Sequence, residues 1–208
     1  DQSYMLYSLT QWELSRLLLP LGGLTKEETR ALAEEHGFVN ARKRDSQDIC
    51  FVPDGDYAGF IRRWTGKEFS PGAFVGTQGE VYGAHKGLIH YTVGQRKGLG
   101  LSFPQPMFVK ELDVENNQVV LAKAEELFSR EVVARDINLI AAESLEKPWR
   151  VKARIRYRQQ EQPATVVQTG PDELHVTFDQ PQRAVTPGQA LVLYDGDTVV
   201  GGGKIVRP

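Results

Sequence analysis

The only cysteine of the chain, Cys50, follows shortly after a run of three cations, Arg42–Arg44. A thiol reacts as its thiolate, and nearby positive charge favours that form. A lone cysteine beside apolar residues such as Ile49 and Phe51 is also typical of an inert, buried side chain. The residue types therefore leave two interpretations of Cys50 open, a reactive thiol and a structural one.

A second group of side chains that could bind a ligand lies between Trp149 and Arg158, where cations alternate with apolar residues. Side chains of a β-strand alternate between its two faces, so one continuous strand would place all the cations on the same face. These cations are Arg150, Lys152, Arg154, Arg156 and Arg158. At a spacing of about 6.6 Å they would repel one another unless an anionic partner lay along them. That partner is either the phosphate backbone of an RNA or carboxylates of neighbouring strands.

The segment Gly94–Gly100 places two cations, Arg96 and Lys97, between glycines. Glycine lets the backbone approach a phosphate closely, although a tight turn would have the same composition. The segment matches neither the P-loop nor the dinucleotide-binding fingerprint, and Gly201–Lys204 also lacks the P-loop spacing. Three histidines, His85, His90 and His175, show no metal-ligand spacing. The residues therefore predict no ATP site and no metal site within this sequence.

Composition describes a globular protein, with 208 residues, 40% hydrophobic content and a net charge of -2. One cysteine cannot form an internal disulfide, which is typical of the reducing cytoplasm. No apolar run approaches the roughly 20 residues needed to cross a bilayer, so we expect no membrane association. The chain begins with Asp1 rather than Met, as expected either of a piece of a longer chain or of a processed product.

Helix-start signals recur in the first third of the chain. A capping box at Thr10–Glu13 predicts a helix through Leu18, and a second at Thr25–Glu28 predicts a helix that ends near His36. The apolar segment Ile49–Val52 predicts a short buried strand. The third predicted helix follows Asp56 and has its apolar residues at helical spacing, at Tyr57, Phe60, Ile61 and Trp64.

After Gly66 the pattern is typical of β-structure. Hairpins are predicted over 73–82 and 107–121, a strand over Leu88–Val93 and a helical connector over 125–128. Short strands with turns between them then run to the C-terminus, and Asp195-Gly196 forms a tight hairpin turn, which together predict a small barrel or sandwich. The predicted fold is α+β and multi-domain, with a helical segment over 1–66, a β-rich central domain over 67–128 and a C-terminal antiparallel β-barrel over 129–208.

Six stretches of the chain carry motifs that occur together in one known family. They are Asp1–Tyr4, Leu19–Gly22, Asp45–Phe51, His90–Gly100, Arg156–Arg158 and Thr186–Gln189. Read in order, they resemble the tRNA-specific 2-thiouridylases, which place sulfur on C2 of the wobble uridine of tRNA. The most specific pieces are Ser46–Phe51 and Gly94–Gly100, and the similarity spans essentially the whole chain.

The resemblance implies a role for Cys50. In that family an N-terminal domain activates the uridine C2 oxygen with ATP, and the cysteine matching Cys50 carries a persulfide whose outer sulfur replaces that oxygen. A second cysteine, which can pair with the first, belongs to the N-terminal domain. A sulfur-relay protein or a cysteine desulfurase supplies the sulfur. Since this sequence contains neither the ATP-binding domain nor a second cysteine, we expect it to be inactive as an isolated chain.

The resemblance also implies a set of tRNA contacts for the anticodon loop. By residue matching they are Asp1, Gln2, Arg156, Tyr157 and Gln189, and the glycine-flanked loop adds Arg96 and Lys97. Two other hypotheses remain open. The chain is either a non-catalytic RNA-binding module that keeps the architecture, or a scaffold that binds no RNA.

Overall fold

The computed structural model describes residues 2–43, 51–52 and 54–207. Within them the α-helices are α1 (Ser3–Leu6), α2 (Gln11–Leu14), α3 (Lys26–Glu35) and α4 (Tyr57–Thr65). The first five strands are β1 (Gly72–Gly76), β2 (Val81–His85), β3 (Phe108–Asp113), β4 (Gln118–Ala122) and β5 (Phe128–Leu139). The others are β6 (Trp149–Arg154), β7 (Gln162–Gly170), β8 (Glu173–Arg183), β9 (Ala190–Asp195) and β10 (Thr198–Val206). Short 3-10 helices lie at Leu88–His90 and Ala124–Leu127.

The chain forms two compact units. One consists of Asp1–Gln11 together with Glu68–Pro208, and the other of Trp12–Lys67. The predicted α+β architecture is confirmed, with few helices, a mostly β central part and a C-terminal barrel. The domain boundaries expected after residues 66 and 128 stay predictions from the sequence. None of the helices in the described part of the chain is long and apolar enough to span a membrane.

The central part is a four-stranded sheet in the order β2-β1-β4-β3. Both predicted hairpins are confirmed as the antiparallel pairs β1/β2 and β3/β4, and a parallel pairing of β1 with β4 joins them. Alternate residues of these strands point to one face, which buries an apolar core. Its buried members are Phe74, Tyr91, Leu99, Val109, Val119 and Leu121.

The second half of the large unit is a closed barrel of six antiparallel strands in the order β10-β5-β8-β7-β6-β9. Asp195 ends β9, and Gly196 has φ 57° in the turn that leads into β10, as the sequence predicted. Small and branched residues fill the interior, among them Ala153, Ala164 and Val176. Closure pairs every strand on both sides, which removes the open edges that a sandwich would leave.

The N-terminal segment lies on the outside of this barrel. The side-chain amide of Asn138 in β5 donates to the carbonyls of Tyr7 at 2.7 Å and Leu9 at 2.9 Å. Tyr4 in α1 is buried against Val192 and Tyr194 of β9. Two strands of the barrel therefore hold α1 in place.

Two of the predicted helices are confirmed with their caps. Thr25 and Glu28 form the reciprocal capping box of α3, and the Asp56 carboxylate accepts from the Gly59 N–H at the start of α4. The predicted helix through Leu18 is wrong, because α2 ends at Leu14 and the side chain of Leu18 is 86% exposed. A short helix gains most of its stability from packing an apolar face, and Leu18 packs little of its surface.

Three predicted strands are also wrong in whole or in part. Leu88–Val93 does not form a strand, because Gly87 turns the chain at φ 114° and a 3-10 helix follows. The strand expected through Arg158 ends at Arg154. In the described part of Ile49–Val52, residues 51–52 are not in a strand and Phe51 is exposed.

Candidate nucleic-acid interface

Arg156 lies in the tight turn that follows β6. The side-chain amide of Gln159 accepts from the Ile155 N–H at 3.1 Å, and the Gln159 N–H donates to the Arg156 carbonyl at 3.1 Å. These bonds end the strand and separate Arg156 from the cations of β6. Its guanidinium donates to the carbonyl of Ala184 at 2.6 Å and lies 3.5 Å from the hydroxyl of Thr186. The barrel therefore fixes the orientation of Arg156.

The backbone at Ala184 has φ 54°, a conformation that costs an L-residue about 1–2 kcal/mol. Its N–H donates to the carbonyl of Leu127 at 2.7 Å, and its carbonyl accepts from the Thr186 hydroxyl at 2.8 Å as well as from Arg156. These bonds stabilise the conformation and aim the carbonyl at the guanidinium. No glycine or asparagine marks this position, so the sequence carried no signal for it.

The glycine-flanked loop packs beside this turn. Gly94 has φ 87°, and a Cβ there would lie 3.1 Å from Cβ of Ala184 and 4.0 Å from Nη2 of Arg156. The Gln95 side chain accepts from the Thr92 N–H and donates to the Lys97 carbonyl, both at 2.9 Å. The loop is therefore ordered by its own hydrogen bonds.

The two predicted cations of this loop, Arg96 and Lys97, both have exposed side chains. Because Gly94 touches the barrel beside Arg156, their loop extends the same surface.

An aromatic pair lies next to Arg156, formed by Tyr157 and Tyr4. Tyr157 is 44% exposed, and its ring meets that of Tyr4 edge-on at 5.9 Å between centroids. The Tyr4 hydroxyl donates to the carbonyl of Ala190 at 2.7 Å. Burial, with smaller contributions from Tyr7 and Tyr194, raises the pKa of Tyr4 to about 12. Tyr157 thus offers a partly exposed ring whose neighbour is fixed, a surface on which a nucleobase can stack.

The two glutamines of the predicted set lie close in sequence to a long-range contact, in which the hydroxyl of Tyr4 in α1 donates to the carbonyl of Ala190, the residue that follows Gln189. Gln189 is exposed, and its backbone N–H donates to the Thr186 carbonyl at 3.2 Å. Gln2 is exposed at the N-terminus of α1, where its carbonyl accepts from the Met5 N–H at 2.9 Å. The structure therefore brings Arg156, Tyr157 and the segments bearing Gln2, Gln189, Arg96 and Lys97 into one neighbourhood. Asp1 and Cys50 lie outside the described residues.

Other cations of the predicted stripe have carboxylate partners instead. Arg150 pairs with Asp179 at 2.8 Å and Arg154 with Glu161 at 2.8 Å. For these two residues the carboxylate alternative is confirmed. The prediction that all five cations share one strand face is wrong, because β6 ends at Arg154.

One of the cations before Cys50, Arg42, forms an ion pair within the chain. Nε of Arg42 lies 2.6 Å from a carboxylate oxygen of Glu34 in α3. The hydrogen bond from Arg42 lowers the pKa of Glu34, and the same bond raises the pKa of Arg42. Arg42 therefore has a carboxylate partner, whereas Lys43 makes no ion pair with a described residue.

A cleft of about 830 Å³ lies between the sheet and the barrel in the large unit. Its lining includes three carboxylates, Glu111, Glu126 and Glu131, and two cations, Lys110 and Arg207. Because the lining has no excess of positive charge, the cleft is a poor continuation of the nucleic-acid surface. In the described part of the chain no group of three or more His, Cys, Asp or Glu side chains is placed to hold a metal ion.

Three sequence families match successive parts of the chain. The tRNA methyl transferase HUP domain matches residues 1–54, the tRNA methyl transferase PRC-barrel domain residues 58–123, and the aminomethyltransferase beta-barrel domain residues 129–205.

The tRNA-specific 2-thiouridylase MnmA of Acetivibrio thermocellus is 53% identical over 205 residues, covering 99% of this chain and 57% of the relative. That of Clostridioides difficile is 48% identical over 207 residues, covering 100% of this chain and 57% of the relative. The chain belongs to the tRNA-specific 2-thiouridylase family. It spans less than two thirds of the length of these 2-thiouridylases.

Proposed function

We propose that this chain provides the sulfur-carrying cysteine and a tRNA-binding surface of a cytoplasmic tRNA-uridine 2-sulfurtransferase. The observation that carries the proposal is the clustering of Arg156, Tyr157 and the Gly94 loop on one surface in a member of the 2-thiouridylase family. The substrate is the wobble uridine in the anticodon loop of tRNA.

The chemistry of this surface suits a single-stranded RNA loop. Such loops are read by stacking of unpaired bases on aromatic rings and by cations along the backbone. Tyr157 supplies an exposed ring, and Arg156 with Lys97 supplies positive charge. Because the whole chain carries a net charge of -2, binding has to come from such a local patch.

Cys50 carries the reactive sulfur in this proposal. As a persulfide, its outer sulfur forms the bond to C2 of the activated uridine while the C2 oxygen leaves. A second thiol then attacks the sulfur–sulfur bond, which leaves the outer sulfur on the base and a disulfide on the protein. That second thiol lies outside this sequence, because Cys50 is its only cysteine.

The glycine-rich segment Gly201–Lys204 does not fit an ATP site. Gly201–Lys204 lies within β10, where the backbone pairs with β5 and β9 and cannot form a phosphate-binding loop. Residues 1–54 match part of the HUP domain, and in this proposal the residues that activate uridine with ATP lie outside this sequence. A sulfur-relay protein or cysteine desulfurase loads Cys50.

The test incubates the purified chain with a cysteine desulfurase and free cysteine, and follows its mass. We expect a gain of one sulfur atom on Cys50 that Cys50→Ser abolishes, and binding of labelled tRNA by both proteins. The chain with tRNA and ATP alone should make no 2-thiouridine. Binding of tRNA without any persulfide would favour a non-catalytic RNA-binding module instead. Absence of tRNA binding would overturn the proposal.

A further inference from the structure

We propose that Arg183 is a further RNA-binding residue, and that it holds one backbone phosphate together with Arg156 over the surface of Gly94. Arg183 lies outside all six sequence motifs and is the last residue of β8. The inference rests on the proposed function, because it assumes that the ligand is RNA.

Two guanidinium groups converge on the same point. A Cβ at Gly94 would lie 3.9 Å from Nη1 of Arg183 and 4.0 Å from Nη2 of Arg156. Both nitrogens therefore lie within about 4 Å of one point. They are close enough together for different oxygens of one phosphate to accept a hydrogen bond from each.

A side chain at Gly94 would project toward both guanidinium groups and crowd Ala184. At φ 87° a side chain would be strained, and its Cβ would lie only 3.1 Å from Cβ of Ala184. Glycine therefore serves both the backbone conformation and the space between the two guanidinium groups.

Arg183 is held in position without losing its charge to a carboxylate. Its guanidinium lies over the ring of Phe108, 4.9 Å from the ring centroid, and its side chain is exposed. In the described part of the chain it makes no ion pair, and neither does Arg156. Most other arginines of the same unit do, namely Arg135, Arg150, Arg154 and Arg207. Two unpaired guanidinium groups beside one glycine favour an anionic ligand from outside.

The geometry favours a phosphate within a longer RNA over a small free anion. The Gly94 N–H donates to the Val109 carbonyl at 2.7 Å, and the Gln95 N–H to the Thr92 carbonyl at 3.0 Å. These N–H groups are therefore not available to enclose a small anion, as a backbone nest would. The aromatic ring of Tyr157 follows Arg156 in the chain, so one RNA segment can meet a cation and a stacking surface together.

The experiment measures binding of fluorescein-labelled tRNA to the 208-residue chain by anisotropy between about 50 and 200 mM KCl. For Arg183→Gln we expect the affinity to fall roughly threefold to tenfold. The slope of log K against log salt should become shallower by about 0.7 to 0.9, the loss of one phosphate contact. Arg183→Lys keeps the charge and should keep the slope of the wild type.

Arg135→Gln is the matched control, because Arg135 is exposed on the same barrel but pairs with Glu173 at 2.8 Å. It should leave affinity and slope unchanged. Circular dichroism spectra check that each variant is folded.

The outcomes separate the inference from the proposed function. If the wild type binds tRNA and Arg183→Gln behaves like Arg135→Gln, the role of Arg183 is wrong and the proposed function stands. A weaker affinity with an unchanged slope would show an indirect structural effect and would also overturn the inference. If the wild type binds no tRNA, the proposed function fails and the inference fails with it.

Discussion

At the scale of single residues, Tyr4 connects the N-terminal helix to the proposed interface. Its side chain is only 4% exposed, its hydroxyl donates to the carbonyl of Ala190, and its ring supports the edge of Tyr157. Burial favours the neutral phenol over the phenolate, which is the main reason for the raised pKa.

The raised pKa of Tyr4 predicts a loss of stability at high pH. The folded protein holds the Tyr4 proton up to a pKa of about 12, whereas the unfolded chain releases it near 10.0. The contribution is therefore complete below pH 10 and lost as the pH rises toward 12. Tyr4→Phe removes this titration, so its urea midpoint should fall less than that of the wild type between pH 9 and 11.

At neutral pH the same variant should be about 1 kcal/mol less stable, because the hydrogen bond to Ala190 is lost. Parallel urea curves at both pH values separate the two effects. An identical alkaline loss in Tyr4→Phe and wild type would contradict the assignment.

At the scale of secondary-structure elements, Tyr7, the residue that ends α1, lies against β10 at Gly202. A Cβ at Gly202 would lie 2.8 Å from Cδ2 of Tyr7 and 2.2 Å from the carbonyl oxygen of Leu191. The backbones of β9 and β10 and the ring of Tyr7 can approach this closely only with glycine at that position.

Gly202→Ala should therefore destabilise the barrel and displace α1. Overpacking of this kind costs about 1–3 kcal/mol, which a urea titration measures directly. Hydrogen exchange should show faster exchange at the amide of Leu6, which donates to the Gln2 carbonyl. Gly170→Ala is the control in the same barrel, because its Cβ would meet only Cβ of Glu173 at 3.8 Å. Equal stability of the two variants would contradict this packing argument.

At the scale of the whole molecule, the two compact units differ in how much they bury. In the described part of Trp12–Lys67 the buried apolar side chains are Val52 and Ala58. Trp12 and Trp64 are 65% and 80% exposed. The large unit instead has separate apolar cores in the sheet and in the barrel.

This difference predicts two levels of local stability. Segments with few buried contacts open with a low free energy, so the amides of α3 and α4 should exchange at least about a hundredfold faster than those of β7 and β8. Hydrogen exchange followed by mass spectrometry measures both sets in one sample. Comparable protection in the helices and in the barrel strands would show that the small unit is stabilised by more than its own core.

Local signals in the sequence determined much of the secondary structure of this protein. Turn residues such as Asp195-Gly196, the capping box at Thr25–Glu28 and alternating apolar residues act over a few positions, so they can be interpreted without knowing the fold. The family motifs were equally local and pointed to the persulfide role of Cys50, which stays a proposal.

Only the tertiary structure decided which cations are available to a ligand. Along the sequence, Arg154 and Arg156 look equivalent, but Glu161 neutralises the first and a backbone carbonyl orients the second. The turn at Gln159 that separates them is held by bonds between residues three and four positions apart, whereas the convergence of Arg183 on Gly94 depends on residues far apart in sequence. Electrostatic pairing is a property of distance in space, and in a barrel of non-consecutive strands that distance cannot be deduced from spacing along the chain.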